Sequence, residues 1–294
     1  MDVLLTRRTT LAGLLGAALV PPSALTAGAP ALATQLGKIE RKVGGRLGVA
    51  VLREDGRSVA AHRGDERFPM CSTFKLLLAA GVLARVDKGE ERLERGVAYS
   101  KDDLVTYSPV TGPRADAGSM TVSELCEAAV TQSDNTAANL LLASVGGPAR
   151  LTLFLRSLGD SVTRLDRIEP HLNEAAPGDP RDTTSPGAMA ATIRALLFGR
   201  ALSQPSRDRL TLWLRSNRTG NERLRAGLQP GWTAGEKTGS GERGTTNDVG
   251  VLWSPRGSAL VVAAFLTECS EAPVARNSAL AAVASAVIER CGPV

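Results

Sequence analysis

Ser72-Thr73-Phe74-Lys75-Leu76-Leu77-Leu78-Ala79-Ala80-Gly81-Val82-Leu83-Ala84 is where the chain changes character. From Ser72, the apolar positions Leu76, Leu77, Ala80 and Leu83-Ala84 follow a 3.6-residue period, so a helix is predicted to begin at the serine. Upstream, a helix over Thr34 to Val43 leads into Arg46–Leu52, which alternates and branches like a strand. Glu54-Asp55-Gly56-Arg57 then turns it into a second strand, Ser58–Arg63. Downstream the pattern stays helical to about Leu210. Thr121-Val122-Ser123-Glu124 has the form of a capping box, and Gly146-Gly147-Pro148 stops the helix Thr136–Val145. Strand signals return in Glu236–Thr238, Asp248–Trp253 and Ala259–Thr267, and a helix from about Asn277 closes the chain. Both ends therefore read as strands with helices and the middle as all helix. This order predicts an α/β fold of the α+β type in two lobes, with the site in the crevice between them. The α/β lobe would take about 34–67 and 212–294, and the all-α lobe about 68–211.

Of 294 residues, 35 are Lys or Arg and 30 Asp or Glu, and aromatics make up only 3%. No basic cluster interleaved with aromatics appears, which argues against a nucleic-acid partner. The two histidines, His62 and His171, stand far apart, and the four cysteines form no CxxC pair, so no zinc or other metal site is expected. Residues 1–33 read as an export signal. Arg7-Arg8 precedes an apolar run, Leu11 to about Val20, that is too short to span a bilayer, and Ala31-Leu32-Ala33 offers a cut after Ala33. The paired arginines point to the twin-arginine route, with a Sec signal as the alternative; either places the working chain, residues 34–294, in an extracellular or periplasmic space. Export permits disulfides. Yet Cys269 ends a strand, while Cys291 ends a helix roughly 21 Å long, too far apart for the ~7 Å Cα limit. Mostly free cysteines are expected.

Three short motifs carry chemistry. In Ser72-Thr73-Phe74-Lys75 the amine sits one turn from the hydroxyl on the same helical face and can take its proton. The helix start favours negative charge at the serine oxygen. Only one of the six lysines has a serine three residues before it. Read blandly, the same residues are a helix cap and a solvated lysine. Ser133-Asp134-Asn135 reads either as an interhelical turn with a capping Asp or Asn, or as a proton carrier followed by an amide clamp. Lys237-Thr238-Gly239 lies on a late strand, where the glycine permits close approach to the strand edge. Gly239-Ser240-Gly241-Glu242-Arg243-Gly244 matches the dinucleotide fingerprint but leads into a strand rather than a helix, so it is rejected.

Taken in order, these motifs are more specific than any one alone. Ser133 follows Lys75 by 58 residues, and Lys237 follows Asn135 by 102. That succession is the signature of serine β-lactamases and penicillin-binding proteins. The chain resembles a class A β-lactamase over nearly all of its length after the export signal. Glu169-Pro170-His171-Leu172-Asn173 is similar to that class's E-x-x-L-N loop, with Arg167 and Asp182 flanking it as a pinning ion pair. The resemblance implies a five-stranded antiparallel sheet beside a helical lobe, and hydrolysis of the β-lactam amide through an acyl-enzyme. Ser72 would be the nucleophile. Its N–H and that of Ser240 would form the oxyanion hole, about 3–4 kcal/mol per donor. Lys75 and Glu169 would handle the acylation proton, and Glu169 with Asn173 would hold the deacylating water. Ser133 would protonate the leaving nitrogen, and Asn135 would bind the acyl-amide oxygen. Thr238 and Lys237 would meet the substrate's carboxylate, Gly239 and Ser240 would also border the substrate, and Tyr107 would wall the entrance.

Two departures from the family's pattern stand out. Thr246 occupies the place of an arginine that many members use for the carboxylate, and Arg223 looks like its substitute. Ala79 stands where many members have a cysteine that bridges to the position of Cys126. Gly241 stands where carbapenem-hydrolysing members have a partner for the position of Cys71. Two other readings compete: a D-Ala-D-Ala peptidase or transpeptidase, which shares the first three motifs, and a β-lactam sensor that keeps its adduct. The implied partner is a small β-lactam, with no cofactor. A monomer without stable membrane insertion is expected.

Overall fold

The computed structural model describes residues 29–291. The reading of residues 1–28 as an export signal lies outside the described residues. The chain opens with α1 (Ala29–Val43), β1 (Arg46–Arg53) and β2 (Ser58–His62). After β3 (Phe68–Pro69) come α2 (Phe74–Asp87), β4 (Gly96–Ala98), β5 (Ser119–Thr121), α3 (Val122–Thr131), α4 (Asn135–Val145) and α5 (Pro148–Ser157). A long loop then leads to β6 (Thr183–Thr184), α6 (Pro186–Leu197) and α7 (Gln204–Arg215). The end of the chain supplies β7 (Thr233–Ser240), β8 (Thr246–Trp253), β9 (Ala259–Thr267) and α8 (Pro273–Cys291).

The expected sheet is present: five antiparallel strands in the order β2-β1-β9-β8-β7. Alternation along each strand divides its side chains between two cores. On one face Ala50, Val249, Val251, Val261, Ala263 and Phe265 pack against the helices of the middle segment. On the other Val49, Val51, Leu260, Val262, Ala264 and Leu266 meet Leu32 and Leu36 of α1 and Leu280, Val283 and Val287 of α8. A strand buried on both faces reads as a continuous apolar run, which is why Ala259–Thr267 stands out in the sequence. Each fully buried leucine or valine contributes on the order of 1.5–3 kcal/mol.

Helix α2 differs from the one-faced helix that its periodicity predicts. Every residue from Phe74 to Ala84 is buried, Leu78, Ala79 and Val82 included, so the helix is enclosed on all sides. That burial fixes the turn in front of it. The capping box of α3 forms as predicted, with the Thr121 side chain accepting from the Glu124 amide while the Glu124 carboxylate accepts from that of Thr121. The glycine-rich decoy, Gly239–Gly244, is the end of β7 and the hairpin turn that leads into β8. All four cysteines are buried free thiols.

Helix α1 begins at Ala29 rather than Thr34, so the expected cut after Ala33 falls inside it. Leu32 has no exposed surface, and it joins the core between α1, α8 and the sheet. Leu32→Ala should lower the unfolding free energy in urea by about 2–5 kcal/mol. A chain started at Thr34 should lose at least as much relative to one started at Ala29. Equal stability would show that residues 29–33 are not part of the folded core.

Candidate active site

The crevice is built around a short 3₁₀ turn, Cys71–Thr73, that runs directly into α2. The turn holds Ser72 at the helix start. One turn later the fully buried Lys75 directs Nζ back toward it, 3.0 Å from Ser72 Oγ. The same amine donates to the Ser133 carbonyl at 2.7 Å and to Asn135 Oδ1 at 2.6 Å, and it lies 3.0 Å from Glu169 Oε1. Burial pushes the Lys75 pKa below the ordinary lysine value, with the nearby carboxylates of Glu169 and Asp134 opposing that shift. Two short acceptors hold two of its N–H groups, and the third position faces Ser72 and Glu169 as either a proton or a lone pair.

Between α3 and α4 the backbone turns sharply, with Ser133 in the left-handed region at φ 59°. Asp134 is the cap that the plain structural reading expected: its carboxylate accepts from the Ala137 amide, and also from Val110 and Thr111. This leaves the Ser133 hydroxyl between two amines, 3.4 Å from Lys75 Nζ and 3.1 Å from Lys237 Nζ. Asn135 Nδ2 donates to the Thr106 carbonyl at 2.7 Å, so its Oδ1 must be the atom that faces Lys75. One amide hydrogen remains for a ligand. Tyr107, at φ 67° and 57% exposed, stands beside this turn, and its carbonyl accepts from the Asn135 amide.

Glu169 lies on the loop between α5 and β6. The loop's neck is closed by Arg167 Nε donating to the buried Asp182 at 2.6 Å, and the Asp182 carboxylate also accepts from the amides of Asp166 and Arg167. The tip is held to α4 by Asn139, which accepts from the Glu169 amide at 3.0 Å and donates to the Glu169 carbonyl at 2.9 Å. Sequence reasoning missed Asn139. Its one signal was an amide in the middle of an apolar helix, four residues from Asn135 and so on the same face. Glu169 Oε1 comes to 3.1 Å from Ser72 Oγ, and Oε2 accepts from Asn173 Nδ2 at 2.5 Å. Asn173 Oδ1 is buried and has no hydrogen-bond partner in the protein.

The fourth wall is the edge strand β7. Gly239 brings it against the serine turn: a Cβ there would lie 2.7 Å from the Met70 carbonyl, so no larger residue fits. Lys237 is fully buried and donates to Ser133 Oγ and to the Thr238 carbonyl. Its pKa is driven well below the lysine range, first by burial and then by the positive charges of Lys75 and Arg223. Arg223 is not a solvated surface group. It donates to the Gly239 and Asn247 carbonyls at 2.8 Å each, to Ser240 Oγ at 2.7 Å and to Asn277 Oδ1 at 3.0 Å. Thr246 accepts from Arg276 Nε at 3.1 Å. Lys75 and Lys237 thus meet at Ser133 Oγ, and Arg223 bonds the end of β7, a set of basic groups suited to an anionic ligand. Among the described residues no three His, Cys, Asp or Glu side chains group as metal ligands.

Comparison with known proteins gives one answer. The model of the β-lactamase enzyme family matches residues 31–291. β-Lactamase CTX-M-97 of Escherichia coli is 46% identical over 263 residues, covering 90% of each chain. β-Lactamase FAR-1 of Nocardia farcinica is 48% identical over 250 residues, 85% of this chain and 80% of that one. Among solved structures, the class A β-lactamase of the last common ancestor of Gram-negative bacteria superposes with a TM-score of 0.86 at 61% identity. That match covers 88% of this chain and 98% of the other.

A buried lysine whose pKa is depressed destabilises the folded state wherever the unfolded chain would hold the proton. Lys237→Met should therefore raise Tm at pH 7 while removing activity. The difference from the parent should shrink as pH rises toward the ordinary lysine value of 10.5, where the unfolded chain also loses its proton. Melting curves from pH 6 to 10 test this; a lower Tm for the variant at pH 7 would refute it.

Proposed function

The chain belongs to the class A branch of the β-lactamase enzyme family, and on that premise we propose that it hydrolyses the amide bond of penicillin- and cephalosporin-type antibiotics through an acyl-enzyme on Ser72. The observation that carries this reading is the position of Ser72 Oγ, 3.0 Å from Lys75 Nζ and 3.1 Å from Glu169 Oε1. A hydroxyl held between an amine of lowered pKa and a carboxylate can lose its proton to either.

Ser72 Oγ attacks the lactam carbonyl carbon, and its proton passes to the Lys75–Glu169 pair. The backbone N–H groups of Ser72 and Ser240 stabilise the oxyanion. As the C–N bond breaks, the nitrogen takes a proton from Ser133 Oγ, which Lys75 and Lys237 flank and can resupply. Water then attacks the ester carbonyl while Glu169 accepts its proton, and Ser72 leaves as the hydroxyl. Asn173 Oδ1, buried and unpartnered, supplies an acceptor for that water. Lys237, Thr238, Ser240 and Arg223 receive the substrate's carboxylate. The remaining Asn135 amide hydrogen serves the acyl-amide oxygen, and Tyr107 forms the wall at the mouth.

A cell-wall peptidase or a sensor shares Ser72, Lys75, Ser133 and Lys237. Glu169 within hydrogen-bond distance of the nucleophile favours the hydrolase over both, because it supplies a base for the second step. We further propose that the chain is exported as a monomer, with Arg7-Arg8 serving a twin-arginine signal. The burial of Leu32 supports a cut upstream of α1 in place of the one expected after Ala33.

With a chromogenic cephalosporin, the chain should turn over many equivalents and Ser72→Ala none. Glu169→Ala should give a burst of one equivalent and a protein heavier by one acyl group. A one-equivalent burst by the unmodified chain would overturn the hydrolase in favour of a sensor or transpeptidase. Asn139→Ala, which frees the loop tip, should slow the second step at least tenfold and the first less. Equal slowing of both in stopped-flow assays would contradict the clamp.

A further inference from the structure

We propose that Thr219, outside the catalytic motifs, sets the affinity for the substrate's carboxylate by holding the hydroxyl proton of Thr238 in the free enzyme. The inference rests on the hydrolase reading above and deepens it at one subsite. It follows from the direction of four hydrogen bonds around Thr219.

Thr219 lies just past α7, and its hydroxyl contacts that of Thr238. Asn217 Oδ1 accepts from the Thr219 backbone amide at 3.1 Å. An amide N–H only donates, so the atom of Asn217 facing it is the oxygen, and Nδ2 turns to Glu236 Oε1 at 3.2 Å. Glu236 is itself fixed by Arg225 at 2.8 Å. Oδ1 also lies 2.8 Å from Thr219 Oγ1. Because that oxygen has nothing to donate, the single hydroxyl proton of Thr219 goes to it. The bond between the two threonine hydroxyls must then take its proton from Thr238.

The hydroxyl assigned to the carboxylate thus already commits its only proton to Thr219. A carboxylate accepts and cannot donate, so Thr238 bonds it only after turning from Thr219. Each binding event exchanges one hydrogen bond for another, and Thr219 is the competitor. It is a positioning residue, acting on the substrate through Thr238.

Thr219→Val keeps the shape and removes the acceptor. With a carboxylate-bearing cephalosporin, KM should fall about two- to tenfold, the value of one neutral hydrogen bond, with kcat within about twofold of the parent. With the methyl ester of the same compound, whose carbonyl is a weaker, uncharged acceptor, KM should fall by less. Thr219→Ser, which restores the oxygen, should return KM to the parental value. An unchanged or raised KM with the acid, or an equal fall with acid and ester, would overturn the role of Thr219 and leave the hydrolase standing. Failure of the parent chain to turn over either compound would overturn both.

Discussion

A buried amine must find acceptors or give up its charge, and the placement of the Lys75 amine orders the rest of the site. Its partners come from three separate stretches of chain: the turn in front of α2, the α3–α4 turn and the loop bearing Glu169. The last two are brought to it from 58 or more residues along the chain. The apolar enclosure of α2 supplies the other half of the constraint. It excludes water from the amine, which lowers the lysine's pKa and strengthens each of its contacts. Nucleophile, proton carrier and base are therefore consequences of satisfying one nitrogen in a dry place.

A second buried charged layer lies under the other wall. Glu236 and Asp248 sit on one face of β7 and β8, both with pKa values raised by burial, and Arg225 and Arg223 provide the counter-charge. Asp248 accepts from the Leu224 amide and so ties β8 to the turn that carries Arg223. Such a layer is costly to bury, and apolar residues would pack there at less expense. What it provides is fixed direction: Arg223 lies along the strand edge with four acceptors, instead of sweeping through solvent.

Much of this was legible in the sequence, and the parts that were not have physical reasons. The capping box at Thr121 and the strand Ala259–Thr267 appear where the pattern put them, because each is a local signal. The motif residues do come together around one crevice, although spacing alone could not show that the Ser133 hydroxyl would stand between two amines. Helix α2 was underestimated because periodicity detects a contrast between faces, and a helix enclosed on all sides has little. The start of α1 was hidden by composition: Ala31-Leu32-Ala33 satisfies a signal-peptidase pattern and a small-residue helix equally well. Asn139, Asn217 and Thr219 act through tertiary contacts with backbone and with each other, and no short motif surrounds them.

The sheet's order has a consequence for how the molecule is made. Arg46, the first residue of β1, bonds Glu268 just past the end of β9, 222 positions along the chain. At 5–20 residues per second, a ribosome takes roughly 10 to 45 s to bridge that gap. Throughout it the partner of β1 in the finished sheet is absent, while the helices of the middle segment are completed before β9 is made. Since β9 alone joins the hairpin from the front of the chain to the β7–β8 hairpin from the back, a chain that stops before Ala259 has two separate ribbons and no sheet.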